Sequence, residues 1–145
     1  MAKAVSEYTD AGALRRLMAN AKRLNRDDIW REAFLRLCAL EGGNQDDPLH
    51  RDFYATLAAY EELLTEKNGR TTRANRTRQK LKNKGVVQCL EDWATAPSGT
   101  DGFNLLIRLG MVELTGEYLV MKYPDRFSQE AVRAASARMA EATSQ

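Results

Sequence analysis

Apolar residues recur three and four positions apart through most of this chain, and sustained alternation of apolar and polar residues is rare. That spacing lays one stripe of side chains along a helix, so the pattern predicts an all-α protein. Asp10 is placed to cap a first helix whose stripe is Leu14, Leu17, Met18, Ala21 and Leu24. Asp27 or Asp28 opens a second, with Ile29, Trp30, Ala33, Phe34, Leu37 and Cys38 inward, and Glu41-Gly42-Gly43-Asn44-Gln45 ends it. Asp47 before Pro48 is a strong start signal for a third. The carboxylate accepts from a free backbone N–H, and proline's missing N–H costs nothing in a first turn. This helix follows Leu49, Phe53, Leu57, Tyr60 and Leu64 until Asn68-Gly69 supplies a left-handed stop.

Thr71 or Thr72 restarts the chain through a polar stretch that Gly85 closes. Val86, Val87, Leu90, Trp93 and Ala94 form the inner face of the next helix. Pro97-Ser98-Gly99 is a loop, Asp101 a cap, and Phe103, Leu106 and Ile107 belong to a short helix ending at Gly110. Residues 111–123 read two ways. They form a β-hairpin turning at Thr115-Gly116, or a short helix capped by Thr115 and bearing Leu119, Val120 and Tyr123. The helix is preferred, because Gly116-Glu117 suits a first turn and Pro124 is a clean stop. A last helix begins at Ser128 and buries Val132, Ala135 and Met139. The expectation is a single compact domain over residues 1–145 with about seven helices and frayed ends.

Composition agrees with that outline. At 145 residues the chain is long enough to bury a core without metal or disulfide support, and three prolines and nine glycines leave long stretches free of helix breakers. Cys38 and Cys89 lie far apart, each inside an apolar periodic run, and read as buried reduced thiols. Met1-Ala2-Lys3-Ala4-Val5 lacks the apolar core of a signal peptide, and no run approaches membrane-spanning length. The expected compartment is the cytoplasm, with no membrane partner.

Charge changes the picture. Between Lys67 and Lys84 stand eight basic residues, Lys67, Arg70, Arg73, Arg76, Arg78, Lys80, Lys82 and Lys84, with no Asp or Glu among them. With these eight set aside from a formal net charge of +2, the rest of the chain stands at −6. Gathering positive charge in this way points to a polyanionic partner. On a helical wheel Arg73, Arg76, Lys80 and Lys84 share one face, Arg78 and Lys82 lie opposite, and only Ala74 and Leu81 are apolar. A helix polar nearly all round is not held by core burial. Like charges four residues apart repel by about 0.2–0.5 kcal/mol each, which a partner's phosphates would relieve. Arginine's planar fork suits bidentate phosphate contact.

Motifs that would sharpen the function are weak or missing. The turn Asn83-Lys84-Gly85-Val86 sits between two helices as in helix-turn-helix or helix-hairpin-helix proteins. Leu81, however, occupies the usual small-residue position, and a second glycine is absent. No aromatic residue is interleaved with the basic ones before Trp93, which argues for backbone contact over base stacking. One histidine, His50, and two distant cysteines make no zinc pattern, and Gly42-Gly43 and Gly69 lack a phosphate-loop signature. Glu62 and Glu66, one turn apart beside the basic segment, give the best basis for an enzyme, a metal-dependent nuclease. Asp27-Asp28, Asp46-Asp47 and Glu91-Asp92 are better explained by capping.

The reading is a non-catalytic helical protein without cofactor or metal. It binds nucleic acid, DNA or RNA, through Arg70, Arg73, Arg76, Arg78, Lys80, Lys82 and Lys84. The alternatives are an adaptor or homo-oligomer that sets the same segment against acidic protein surfaces, and the nuclease built on Glu62 and Glu66.

Overall fold

The computed structural model describes residues 4–144. The expected fraying of the ends concerns residues 1–3 and 145 and lies outside the described residues. Seven α-helices follow one another: α1 Ala11–Arg23, α2 Asp27–Gly42, α3 Pro48–Asn68, α4 Asn75–Thr95, α5 Asp101–Arg108, α6 Gly116–Lys122 and α7 Gln129–Thr143. Short 3₁₀ turns occupy Val5–Glu7, Val112–Leu114 and Pro124–Arg126, and no strand occurs among the described residues. The fold is all-α.

Capping explains most boundaries. Asp10 accepts from the Gly12 N–H at 3.0 Å, Asp47 from Leu49 at 2.9 Å, and Ser128 from Ala131 at 3.1 Å. Thr115 accepts from the Tyr118 N–H at 3.2 Å, so residues 116–122 form the helix and the hairpin does not arise. Three starts differ from expectation. Thr100, not Asp101, caps α5, accepting from Phe103 at 3.0 Å. Neither Asp27 nor Asp28 caps α2, because Asp28 is turned onto the Arg26 guanidinium at 3.1–3.2 Å. The basic stretch becomes helical only at Asn75. Thr72 is occupied elsewhere, its N–H donating to Thr65 Oγ1 at 2.9 Å.

The core has two parts, and α3 belongs to both. Leu14, Met18, Phe34, Leu37 and Cys38 from α1 and α2 close over Ala58, Ala59, Tyr60 and Leu63 of α3. Leu49, Phe53 and Leu57 on its other side meet Val86, Cys89 and Leu90 of α4, Leu119 and Val120 of α6, and Ala131 and Ala135 of α7. A helix buried on opposite faces needs apolar residues around its circumference, and small ones where neighbours come close. α3 therefore exceeds its predicted stripe: Thr56, Ala58, Ala59 and Leu63 are buried, while Leu64 is only half-buried. Trp93 packs against both parts, its ring 5.7 Å from Phe53 and 5.1 Å from Tyr60. Leu24 and Val132, expected inward, are exposed and half-buried respectively.

Cys38 and Cys89 are both buried free thiols, one in each part of the core. Burial pushes both thiols up, away from the reactive thiolate form. Among the described residues no helix is long and apolar enough to cross a membrane.

Candidate nucleic-acid interface

The basic segment begins where α3 stops. Gly69, at φ +70°, takes the left-handed conformation that turns the chain out of the helix. Residues 70–73 then run without regular structure until Glu61 of α3 catches the chain again. Glu61 accepts the Ala74 N–H at 2.9 Å and both Nε and Nη2 of Arg78 at 2.6 Å. One carboxylate thus satisfies a free donor at the start of α4 and grips its first turn. It does the work of a cap from a different helix. Burial raises the Glu61 carboxyl, but the Arg78 and Ala74 hydrogen bonds and the Arg78 charge together hold it below its ordinary range.

α4 is broken at Gly85, where φ is +89° and ψ 175°. Residues twelve apart on a straight helix would be separated by about 18 Å along the axis. Here Lys80 Nζ reaches Asp92 at 2.8 Å, and Cys89 Sγ lies 4.0 Å from the Thr77 carbonyl. The two halves therefore fold back on each other about one glycine. Every buried residue of α4 lies after that corner: Val86, Cys89, Leu90 and Ala94. The first half is attached by half-buried Ala74 and Leu81, by Arg78 and by Lys80. A Cβ at Gly85 would meet nothing within 4 Å, so the backbone alone dictates glycine there. Gly85→Ala is expected to cost about 1–3 kcal/mol through strain in a region open to little but glycine, read as a shift in urea midpoint with unchanged slope.

The predicted basic residues separate into two groups. Arg78 is held by Glu61, and Lys80 by Asp92, whose carboxyl the Lys80 and Gln88 side chains draw below its ordinary range. Both serve the attachment of the segment. Lys67, at the end of α3, lies 3.8 Å from Asp101. Arg70, Arg73, Arg76, Lys82 and Lys84 are exposed, and among the described residues none lies within ion-pair distance of a carboxylate. Arg73 precedes the helix, so it does not share a helical face with Arg76 as the wheel had it.

The acids beside the segment are engaged as well. Glu62 accepts from Arg15 Nε at 2.7 Å, and Glu66 pairs with Lys22, so both nuclease candidates are turned toward α1 and not toward Arg70. Among the described residues no group of three or more His, Cys, Asp or Glu is gathered to hold a metal ion. His50 Nε2 lies 3.8 Å from the Asp47 carboxylate at the start of α3.

An aromatic ring that the linear sequence places far away stands next to the basic residues. Tyr54 of α3, half-buried, lines a recess of about 380 Å³ with His50, Arg78, Leu81, Lys82, Gly85 and Val86. Tyr54 and Arg78 also line a second recess, of about 290 Å³, whose wall includes Arg73, Thr72 and Arg15 together with the carboxylates of Glu41, Glu61 and Glu62. The absence of aromatics within the basic run therefore does not hold in space. Tyr54 comes beside it because α3 and α4 share the Glu61 anchor. The only sequence signal was its place one residue after the core Phe53, off the main apolar stripe.

No protein-family model, no curated protein and no solved structure matches this chain.

Proposed function

We propose that this protein binds nucleic acid through the phosphate backbone, using Arg70, Arg73, Arg76, Lys82 and Lys84. The observation that carries this reading is the division of labour within the basic segment. Three of its eight cations, Lys67, Arg78 and Lys80, are paired with acids, whereas five are exposed with no carboxylate at ion-pair distance among the described residues. Exposed and unneutralised charge held on an ordered scaffold favours a polyanion with regularly spaced charges. The rest of the chain carries a net −6, so positive charge is concentrated in this segment.

Five phosphate contacts predict a steep salt dependence. The slope of log K against log salt is expected near about −4.5 on duplex DNA and about −3.5 on a single strand. Changing all five residues to Gln should abolish binding with the fold intact, while Arg76→Gln alone should reduce the duplex slope by about 0.9. Arg78→Gln should act differently, lowering stability by about 1–2 kcal/mol through lost charge-assisted bonds that remain partly open to water. Fluorescence anisotropy at four salt concentrations, beside urea unfolding, separates the two behaviours. An unchanged slope in the fivefold variant would place any affinity elsewhere, for instance on Arg16 and Arg23 of α1. Absence of binding at low salt would move the reading to an acidic protein partner or a second copy of the chain.

A further inference from the structure

Two separate recesses adjoin at Tyr54 and Arg78, which belong to the lining of both, and the one that Lys82 lines is a crevice between α3 and the first half of α4. Arg73 lines the recess that holds Glu61 and Lys82 lines the other, and among the described residues neither cation has a carboxylate at ion-pair distance. The Lys82 crevice is apolar where Leu81 and buried Val86 line it, and a Cβ at Gly85 would meet nothing within 4 Å. The Tyr54 ring is braced edge-on by fully buried Phe53, with centroids 5.9 Å apart and planes at 85°. A duplex cannot bring a base into such a crevice without unpairing it; a single strand presents its bases freely. Tyr54 with Lys82 in its crevice and Arg73 in the adjoining recess matches a strand that leaves phosphates outside and lays one base on the ring.

We infer that the crevice between α3 and the first half of α4 accepts one unpaired base stacked on Tyr54, with Arg73 and Lys82 on flanking phosphates, so that the partner is single-stranded nucleic acid. This rests on the phosphate-binding reading and narrows it to one class of strand. Lys82 and His50 line the crevice together, while the Arg78 guanidinium, paired with Glu61, adds a planar group to the wall. Stacking of this kind is tolerant of base identity, because every base offers a π-face.

The test uses three probes against the full chain: an oligothymidylate of about 12 nucleotides, a strand of equal length with abasic sugars, and a duplex. The oligothymidylate should bind about tenfold more tightly than the abasic strand, whose phosphates are the same. Tyr54→Ala should erase that difference while keeping the salt slope, and Tyr54→Phe should preserve it; circular dichroism checks that both variants fold. Equal affinity for thymidylate and abasic strands in wild type, with a steep salt slope, would overturn the stacking crevice and leave phosphate binding standing. Preference for the duplex, or a Tyr54→Ala variant that still discriminates, would overturn it as well. Failure to bind any of the three would remove both readings together.

Discussion

Replacing Arg138 with alanine is expected to cost about 3–5 kcal/mol of stability, one of the two largest losses expected for this fold. Arg138 of α7 reaches into the molecule, where Nη1 donates to Glu117 Oε2 at 2.8 Å and to the Trp93 carbonyl at 2.7 Å, and Nη2 donates to the Ala96 carbonyl. Glu117 is 1% exposed, and its second oxygen meets no protein donor. The pair ties α6 and α7 to the end of α4, and removing the cation strands a carboxylate away from water. Burial already raises the Glu117 carboxyl despite the Arg138 hydrogen bond.

The sign of the pH dependence follows from that direction. A carboxyl raised in the folded state destabilises it above the folded pKa, and that penalty disappears as pH falls below the unfolded value near about 4.3. Loss of Arg138 raises the carboxyl further. Urea unfolding of wild type and Arg138→Ala should therefore show a gap that narrows as the buffer is made more acidic. A double variant, Glu117→Leu with Arg138→Met, should recover most of the loss, since replacing a buried ion pair with apolar groups of similar volume is close to neutral. A loss below about 1 kcal/mol for Arg138→Ala would show that the pair is not buried in solution.

The second large effect is in the core, and it inverts the order of side-chain size. Phe34→Ala is expected to cost about 3–5 kcal/mol, because the ring is fully buried among α1, α2 and α3. Trp30→Ala removes a larger side chain, one turn earlier on the same helix and stacked on Phe34 at 5.0 Å. Yet Trp30 is only half-buried and lines an open groove of about 800 Å³ beside Lys22 and Leu109. Water can refill that space, so no closed cavity is left, and the loss should be about half as great. Equal melting-temperature losses would show that the groove is closed in solution. The periodicity of α2 set Trp30 and Phe34 on one stripe as equals; only the packed neighbours tell them apart.

Local rules reached far into this protein. The all-α class, most helix boundaries, the Asp10, Asp47, Thr115 and Ser128 caps and the corner at Gly85 follow from interactions between residues a few positions apart. The same is true of the charged stretch itself, since an acid-free run of cations is a property of composition. Three-dimensional contact decided the rest. Glu61 lies thirteen residues before Ala74, so no capping rule connects them; α3 had to end at Gly69 and the chain had to return before that carboxylate could start α4. Asp92 could neutralise Lys80 only once Gly85 had folded the two halves of α4 together. Those two acids divide the basic residues into structural and free ones, which a helical wheel places on faces without knowing what each face meets. Tyr54 entered the candidate site in the same way, as a side chain on one helix facing a neighbour distant in sequence. Periodicity and capping act within a turn or two of helix and can be read along the chain, whereas the partner of an exposed charge is chosen by whichever element packs beside it.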